Sequence, residues 1–589
     1  MNCTRTFDVM RLQAHKYPNP KALRGWSEGK WESLRTEACL QRMDDYSQAL
    51  LSLGLKKGDL LLTVPELATL EWVLLDLAAQ QIGLVVVPIH ATHHQEQFDH
   101  ILQETQARVI FFAHPEGQAR FSLKALPDIG VFYTETPEAH PRSLRHLVRH
   151  AHQDEELSRL RQAVLPEDLA CIIYTSGTTG VPKGVMLSHD NIISNVKAVL
   201  PLLPLHHTKR SLSFLPYSHI FERTTLLAYI ASGTSLALVG DRERFLEAFQ
   251  DIRPHYFTTV PRILEKMYDQ VLTHQAQQNW WKKRIIGWAL KVGHAYKENA
   301  KVRPWYAWQR FFARWLVFQR FHQVSGGKVE AILTGAAYLQ PEISRIFAVA
   351  GIKVREGYGM TETSPVISIN RFTPGLVRFG TVGVPVPGVE VKIDEADEQG
   401  EGEIIVRGPN VMQGYFKKPE ETAKVLQDDG WFKTGDVGKF VKGRFLQITD
   451  RRKDIFKTSA GKYIAPLVLE NHFRQSSFID QIMVVGFKRP YLTALVRPNY
   501  DLLKVWCESN GIHWTSPQYM AVNLKVRQKL LEEVEKLNQY LPNFQRIKEI
   551  HLFHQEWTPE DGYLSYTMKL LRSRIATEYG RVIEKMYEG

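Results

Sequence analysis

The chain has 589 residues, of which 44% are hydrophobic, 11% aromatic and 23% charged, so it is not a disordered, collagen-like or coiled-coil protein. At about 100 to 200 residues per domain, this length predicts roughly two to four domains. The formal net charge of +11 points to an anionic partner, which could be nucleic acid, a membrane surface or an anionic substrate.

The beginning of the chain carries no signal for export. Its first residues, MNCTRTFDVM, include no apolar core of a signal peptide, and no run of about 18 apolar residues occurs anywhere. The cysteines form no CxxC pair, which argues against a zinc ribbon or a disulfide framework. They are Cys3, Cys39, Cys171 and Cys507. We therefore expect a cytoplasmic protein, either soluble or peripheral on the inner face of the membrane.

Strand-like and helix-like segments alternate along the first three quarters of the chain. From Asp8 to about Ile173, apolar runs such as LLLTV and GLVVVPI alternate with stretches such as LATLEWVLLDLAAQQ, which predicts an α/β unit with a parallel, doubly wound sheet. A second α/β block is expected over 185–368. Between 380 and 448, the runs EGEIIVRG and GRFLQIT are separated by Gly and Pro, which predicts a small β-barrel-like subdomain.

The charged stretch Asp450–Asp454 is the best candidate for a linker. We therefore expect a large N-terminal domain over 1–449, a linker at 450–454 and a smaller α+β domain over 455–589.

A loop rich in hydroxyl groups and glycines, residues 174–184, follows an apolar run. Glycines let backbone N–H groups approach an anion, Ser and Thr add hydroxyl donors, and Lys183 adds a positive charge. The Walker pattern does not fit, because neither Gly177 nor Gly180 is followed by Gly-Lys-Ser/Thr at the required spacing. The loop therefore predicts a phosphate site of a different nucleotide chemistry, with a flexible turn as the alternative.

Four further motifs follow this loop. They are Gly357–Thr363 (GYGMTET), Gly430–Asp436 (GWFKTGD), Asp450–Asp454 (DRRKD) and Leu564–Arg572 (LSYTMKLLR). The ordered series resembles the signatures of the adenylate-forming superfamily, which contains acyl-CoA synthetases, luciferases and the adenylation domains of peptide synthetases. The phrases LPYSHIFER, VPRILEK, WALKVG and IFKTSAGKYIAP are similar to those of the long-chain fatty acyl-CoA synthetase branch. The resemblance covers nearly the whole chain. It implies that the domain 1–449 binds ATP and the acyl substrate, that 450–454 is a hinge and that 455–589 is a mobile domain.

The side chains in these motifs suit the binding of Mg·ATP. Tyr358 offers an aromatic face for adenine, Thr361 a hydroxyl for the α-phosphate, and Glu362 a hard oxygen ligand for Mg²⁺. Asp436 can accept hydrogen bonds from both ribose hydroxyls, since an ionised carboxylate only accepts. The resemblance implies the following nucleotide-binding residues: Thr175, Ser176, Gly177, Thr178, Thr179, Gly180, Lys183, Gly335, Ala336, Ala337, Tyr358, Gly359, Asp436 and Arg451.

The adenine segment departs from the usual pattern of the family. The resemblance places 335–337 along the adenine pocket, where the family usually has Gly-Gly-Ala-Pro and this chain has Gly-Ala-Ala-Tyr338. His219, in LPYSHIFER, is a candidate for the acyl or nucleotide pocket, with a core histidine as the alternative.

Lys569 is the predicted catalytic residue of the adenylation step, together with Thr361 and Glu362. A flexible ammonium can follow the charge that develops on the carboxylate and α-phosphate oxygens. The family typically has Thr-Pro-Thr and Lys-x-Lys-Arg here, whereas this chain has SYT and KLLR, so the first lysine is retained. By resemblance, the C-terminal domain rotates about Lys453 after adenylation and presents another face, including the loop 459–461.

The segment 281–328 contains eleven Lys and Arg residues and one acid, Glu298, so it carries ten of the eleven net charges. On a helical wheel Trp305, Trp308 and Trp315 share an arc with Phe312 and Leu316, while Arg310 and Arg314 lie opposite. This pattern is typical of an interfacial helix on an anionic membrane. The alternatives are a helix packed on the large domain with a solvated basic edge and, more weakly, RNA binding.

The motifs together predict an ATP-dependent, AMP-forming long-chain fatty acid–CoA ligase with ATP, Mg²⁺ and coenzyme A. Nucleic acid is not expected as a partner, and the oligomeric state is open, a homodimer included. Two alternatives remain at this stage. One is a ligase that delivers the acyl group to acyl carrier protein, and the other is a catalytically silent fatty-acid or nucleotide-binding protein at the membrane.

Overall fold

The computed structural model describes residues 3–588 apart from 28, 127, 151–155, 176–181, 242, 277–279, 299–302, 452–453, 460–461, 560 and 566–567. For 150, 272–276, 280 and 451 it describes the backbone alone.

Strands occur along the whole part of the chain that the structure describes. They are β1 (Leu23–Ser27), β2 (Lys30–Leu34), β3 (Leu60–Val64), β4 (Val85–Pro88), β5 (Val109–Phe112), β6 (Gly130–Tyr133), β7 (Leu169–Thr175), β8 (Lys183–Ser188), β9 (Arg210–Ser213), β10 (Ser235–Leu238), β11 (Tyr256–Thr259), β12 (Ala331–Thr334), β13 (Lys353–Gly359), β14 (Val366–Ile369), β15 (Val384–Pro385), β16 (Glu390–Asp394), β17 (Gly402–Arg407), β18 (Gly414–Tyr415), β19 (Phe432–Val441), β20 (Phe445–Arg451), β21 (Phe456–Lys457), β22 (Tyr463–Ile464), β23 (Ile479–Val485), β24 (Leu492–Pro498) and β25 (Ile547–Leu552).

Helices connect and cover these strands. They are α1 (Asp8–Lys16), α2 (Thr36–Ser52), α3 (Leu70–Gln81), α4 (Gln95–Thr105), α5 (Pro115–Gln118), α6 (Leu144–His150), α7 (Leu157–Ala163), α8 (His189–Val199), α9 (Ile220–Ala231), α10 (Phe245–Ile252), α11 (Pro261–Ala276), α12 (Trp280–His294), α13 (Pro304–Ala313), α14 (Gln319–Val324), α15 (Pro341–Ala350), α16 (Pro419–Val425), α17 (Pro466–Phe473), α18 (Tyr500–Ser509), α19 (Pro517–Met520), α20 (Leu524–Asn538), α21 (Arg572–Glu578) and α22 (Gly580–Lys585). Short 3₁₀ turns occur at Leu200–Leu202, Thr361–Thr363 and Asn543–Gln545, and a π-helical turn at Arg314–Phe318 joins α13 to α14.

Two large sheets form the N-terminal domain. The described residues give one sheet in the order β18-β8-β7-β4-β3-β5-β6 and another in the order β15-β14-β13-β12-β11-β9-β10-β1-β2. The central pairs of both sheets are parallel, as the alternation of apolar runs and helices predicts. LLLTV and GLVVVPI become β3 and β4, and LATLEWVLLDLAAQQ becomes α3. The predicted α/β class is confirmed.

Several strand pairings differ from the sequence interpretation. We expected residues 8–173 to form one α/β unit, but β1 pairs with β10 in the second sheet, and β2 extends that edge. Two strands from the expected later blocks, β8 and β18, join the first sheet, and β15 joins the second. The chain passes from this sheet to the other through α2, which joins β2 to β3, and α3 packs on α2 and contacts both β1 and β4. Every residue of α3 is buried, as expected for a helix covered on all sides. The Thr69 hydroxyl caps its N-terminus by accepting from the backbone N–H of Trp72 at 3.3 Å.

A smaller antiparallel sheet, β16-β17-β19-β20, follows the large ones, as the runs EGEIIVRG and GRFLQIT predict. Its last strand extends further than expected: Asp450 and Arg451, assigned to the hinge from sequence, pair with β19, and Asp450 is fully buried. The C-terminal domain contains β23-β24-β25 and its own core, formed by residues such as Leu469, Leu503 and Leu530.

Candidate active site

A cavity of about 1650 Å³ lies between the large sheets, the small sheet and the C-terminal domain. Ligand pockets usually measure about 300–1,000 Å³, so this one has room for more than one substrate. One end is polar and is lined by Thr175, Lys183, Gly335, Tyr358, Thr361, Glu362, Asp436 and Lys569. The other, which we call the acyl arm, is lined mainly by apolar side chains, including Val199, Phe214, Phe221, Ala228, Tyr229, Val239, Phe245, Val260, Ile263 and Met267.

Glu362 lies in the 3₁₀ turn that follows β13, where it faces the polar end of the cavity. The Tyr415 hydroxyl, on β18, donates a hydrogen bond to Glu362 Oε1 at 3.0 Å. The two elements are fixed further by the backbone N–H of Met412, which donates to the Glu362 carbonyl at 2.9 Å. Burial raises the pKa of the Glu362 carboxyl, while Tyr415 and the charge of Lys569 favour its ionised form. A bound cation would favour that form further.

Tyr358 and Asp436 meet at the same end of the cavity. The Tyr358 hydroxyl donates to Asp436 Oδ2 at 2.7 Å, which joins the end of β13 to β19. Asp436 is buried, and its backbone pairs with that of Arg451 on β20. Residues from GYGMTET, GWFKTGD and DRRKD, far apart in sequence, therefore lie side by side, with an aromatic ring next to a carboxylate.

The hydroxyl and glycine loop is anchored at the cavity by both ends. Thr175 ends β7 and pairs with Lys183, which begins β8, and both residues line the cavity. The Lys183 ammonium forms an ion pair with Glu421 of α16 and lies 5.3 Å from the centre of the Tyr415 ring. The predicted loop residues Ser176, Gly177, Thr178, Thr179 and Gly180 lie outside the described residues, so their role stays a prediction.

Lys569 reaches the polar end of the cavity from the C-terminal domain. It lies in a tight turn in which the Ser565 N–H donates to the Lys569 carbonyl at 2.7 Å, and the Ser565 hydroxyl accepts from the Lys569 N–H at 3.1 Å. Met568 takes a left-handed backbone conformation, with φ of 60°, at this turn. The structure therefore brings the predicted catalytic lysine to the side of the cavity that holds Glu362.

Arg572 holds this turn in place. Its guanidinium donates two hydrogen bonds to the buried Glu470 carboxylate of α17, at 2.8 and 2.6 Å. Sequence reasoning noted Arg572 only as part of the KLLR run and missed Glu470, which precedes it by 102 residues. The buried acid at the fifth position of α17 was a weak signal, because a single Glu within an apolar helix does not name its partner.

His219 and Glu222 also line the cavity. His219 precedes α9, and its ring centre lies 5.2 Å from that of His90. Burial, with a smaller effect of His93, lowers the pKa of His219 to about 4, so the ring is neutral at pH 7. Burial raises the pKa of Glu222 to about 8 although the Ser213 hydroxyl donates to it. Sequence reasoning missed Glu222, which lies in the same LPYSHIFER run.

The adenine segment is only partly in the cavity wall. Gly335 and Ala336 line the cavity, whereas Ala337 and Tyr338 are exposed and do not. A Cβ on Gly335 would lie 3.1 Å from the Gly357 carbonyl oxygen, so glycine allows the close approach of these two strands. The unusual Tyr338 therefore leaves the described cavity wall unchanged. The predicted hinge residue Lys453 and the Arg451 side chain lie outside the described residues.

Two family models match this chain. That of the AMP-binding enzyme matches residues 10–416, and that of the AMP-binding enzyme C-terminal domain matches 453–589. The chain belongs to the AMP-binding enzyme family. This confirms the resemblance that the motifs indicate. This AMP-binding enzyme also has the C-terminal domain that the motifs predict.

Similar proteins agree with this assignment. This AMP-binding enzyme is 30% identical over 578 residues to long-chain-fatty-acid–CoA ligase FadD15 of Mycobacterium bovis, a match that covers 95% of this chain and 93% of that protein. It is 34% identical over 439 residues to the peroxisomal long chain acyl-CoA synthetase 7 of Arabidopsis thaliana, over 72% of this chain and 61% of that protein. The latter match therefore spans less than two thirds of the plant protein.

The fold is that of solved adenylation domains. The A domain of carboxylic acid reductase from Segniliparus rugosus, in complex with AMP and a co-purified carboxylic acid, matches 99% of this chain and 94% of its own, with a TM-score of 0.75 and 22% identity. Within the part of the chain that the structure describes, no helix combines the length and the apolar character needed to cross a bilayer.

Proposed function

We propose that this AMP-binding enzyme is an ATP-dependent long-chain fatty acid–CoA ligase. The observation that carries the proposal is a single cavity of about 1650 Å³ that is lined both by Tyr358, Asp436 and Lys569 and by the apolar residues of the acyl arm. A nucleotide and a fatty carboxylate bound there would meet at Glu362 and Lys569.

In the first half-reaction the fatty carboxylate attacks the α-phosphorus of Mg·ATP, the bond to the β-phosphate breaks, and pyrophosphate leaves. Lys569 would stabilise the negative charge that develops on the attacking carboxylate and α-phosphate oxygens. Tyr358 and Asp436 would hold the nucleoside, and Thr361 would donate to the α-phosphate. His219, neutral at pH 7, would sit beside the fatty acid headgroup without attracting its charge.

Glu362 fits the Mg²⁺ that accompanies ATP. Its carboxylate is buried at the cavity, and an ionised carboxylate has about four lone-pair sites, so the bond from Tyr415 leaves room for a metal. When bound, the metal neutralises phosphate charge. Tyr415 would keep the Glu362 carboxylate ionised and oriented.

In the second half-reaction the coenzyme A thiol attacks the acyl carbon, the acyl–oxygen bond to AMP breaks, and AMP leaves as the thiol proton passes to solvent. The relatives named as long-chain-fatty-acid–CoA ligases support coenzyme A as the acceptor. The cavity residues support activation of the acid, and the relatives bear on the choice of thiol. The acceptor is therefore tested by offering coenzyme A and purified acyl carrier protein side by side.

The experiment that tests the proposal measures pyrophosphate release with ATP, Mg²⁺ and saturated acids of graded length. We expect release to require the acid and to be most efficient for long chains, because each buried methylene contributes about 0.8 kcal/mol. Absence of acid-dependent pyrophosphate release would support the silent binding protein instead.

We further propose that the exposed aromatic residues of α13 and the adjoining π-helical turn contact an anionic membrane. We call these residues the aromatic face: Trp305, Trp308, Phe311, Phe312, Trp315 and Leu316. Trp305 is 74% exposed and Trp308 62%, whereas Ala313 and Val317, on the opposite side, are buried. The predicted aromatic arc thus faces away from the core, within the segment that carries most of the net charge.

The arginines opposite this arc contact the protein. The Arg310 guanidinium lies 5.9 Å from the centre of the Tyr296 ring, and that of Arg314 packs against Gly351, where an added Cβ would lie 2.7 Å from it. Replacing these arginines would therefore disturb packing as well as charge. The tryptophans are the cleaner test of membrane contact.

Trp305→Ala with Trp308→Ala should weaken binding to vesicles that contain phosphatidylglycerol. An aromatic side chain offers about 150–250 Å², so burying a third of two rings at about 25 cal/mol per Å² gives about 3 kcal/mol, or roughly a hundredfold in affinity. Tyr519→Ala with Tyr540→Ala is the matched control, since both are exposed aromatics of the C-terminal domain. Vesicle binding that is equal in the tryptophan variant and wild type would contradict this proposal.

A further inference from the structure

The helix α11 lies between the acyl arm and the C-terminal domain. Ile263 and Met267, four residues apart on one side of the helix, line the acyl arm. Leu264 and Val271 are buried in the core of the large domain, which holds the helix in place. Arg262 and Glu265 project instead toward the C-terminal domain.

Several ion pairs cross from α11 to the C-terminal domain, and we call two of them the latch: Glu265–Arg474 and Arg262–Asp480. Arg262 also lies 3.4 Å from the Glu556 carboxylate, and Lys266 lies 4.0 Å from it. One Arg474 nitrogen, Nη2, lies 2.8 and 3.0 Å from the two Glu265 carboxylate oxygens. Arg262 Nη1 lies 2.7 Å from Asp480 Oδ1. The Gln340 side chain of the large domain adds a hydrogen bond of 2.7 Å to the Arg474 carbonyl.

These pairs are largely shielded from water. The side chains of Glu265 and Asp480 are 9% and 11% exposed, and those of Arg262 and Arg474 are 20% and 27% exposed. Ion pairs on an open surface contribute little, whereas removing one partner of a shielded pair leaves a charge without compensation. Because Asp480 also pairs with Arg497 of its own domain, removal of Glu265 or Arg474 is the sharper test of how the latch holds the domain.

The latch connects directly to the catalytic lysine. Arg474 immediately follows α17. Four residues earlier, the Glu470 carboxylate accepts two hydrogen bonds from Arg572. Arg572 begins α21, which directly follows the turn that carries Lys569. A short path of two ion pairs, spaced by one helical turn, thus runs from the large domain to Lys569.

We propose that the latch is a positioning device that holds the C-terminal domain so that Lys569 faces the cavity during the first half-reaction. This inference rests on the proposed function. The residues of the latch touch no substrate and act through the turn of Lys569. A domain that rotates between the half-reactions must break the latch, so its loss should impair only the first.

The test compares both half-reactions in Glu265→Gln, Arg474→Gln and the double variant. The first is measured as pyrophosphate release from ATP and hexadecanoate, and the second as thioester formation from supplied hexadecanoyl-adenylate and coenzyme A. We expect each single variant to slow the first half-reaction about tenfold or more. The double variant should be little slower than either single variant, because the two residues form one ion pair and either change already removes it. Thioester formation should stay near the wild-type rate.

Two further variants separate positioning from stability. Arg527→Gln removes an ion pair with Glu549 that lies wholly within the C-terminal domain, and it should leave both half-reactions near wild type. Arg474→Lys keeps the charge and should recover part of the first half-reaction. Unfolding temperatures report whether any variant is simply less stable.

The outcomes are distinct. If wild type releases no pyrophosphate with hexadecanoate, the proposed function fails. If wild type is active and Arg474→Gln keeps its rate, or if that variant slows both half-reactions equally, the latch does not position Lys569. A double variant that is slower by the product of the single effects would likewise overturn the pairing.

Discussion

Replacing Lys569 by alanine removes the ammonium that the C-terminal domain brings to the polar end of the cavity. The positive charge of Lys569 favours the ionised form of the Glu362 carboxyl. Lys569 therefore acts within the polar end of the cavity. Lys183 and Lys424 also line the cavity, but both pair with Glu421. Loss of one preorganised stabilising group costs about 2.7–4 kcal/mol, so adenylation should slow by roughly 10² to 10³.

The assay separates the two half-reactions. Pyrophosphate release with ATP and hexadecanoate reports adenylation, and thioester formation from supplied hexadecanoyl-adenylate reports transfer. We expect Lys569→Ala to lose the former and keep the latter, while Lys585→Ala, an exposed lysine of α22, changes neither. Equal damage to both half-reactions in Lys569→Ala would refute the role that we assign to this lysine.

Two further predictions concern the metal and the hinge. Tyr415→Phe removes the hydrogen bond to Glu362, which for a charged acceptor contributes about 1.5–3 kcal/mol, so adenylation should slow roughly 10- to 150-fold and need more Mg²⁺. A Mg²⁺ titration with an unchanged midpoint and rate would count against the Glu362 site. Lys453→Pro should spare adenylation and block thioester formation, because proline fixes φ at the predicted hinge. Normal rates of both half-reactions would place the hinge elsewhere.

Local sequence patterns predicted most of the fold. Continuous apolar runs such as LLLTV became buried parallel strands, and the apolar stretch after Thr69 became a helix covered on all sides. The pairing of β1 with β10 was not predicted, because a strand's own residues do not specify a partner some 200 residues away. For the same reason β20 extends into the predicted hinge: the register with β19 buries Asp450 in a run that reads as a charged linker.

The candidate site was predictable where the motifs carry its chemistry. Tyr358, Glu362, Asp436 and Lys569 all line one cavity, as their roles require. The residues that hold them were not predicted. Tyr415, Glu470 and Arg474 act through partners distant in sequence, and each reads alone as an ordinary aromatic or charged residue. Such contacts depend on how domains pack, which a single sequence states only indirectly.

The central claim is that this enzyme joins a long-chain fatty acid to coenzyme A and cleaves ATP to AMP and pyrophosphate. The most direct measurement is the product balance of the wild-type enzyme with hexadecanoate, ATP, Mg²⁺ and coenzyme A. The proposal predicts hexadecanoyl-CoA, AMP and pyrophosphate in equal amounts, with acyl-adenylate accumulating when coenzyme A is left out. Formation of ADP and phosphate, or an acyl-adenylate that coenzyme A does not consume, would contradict it.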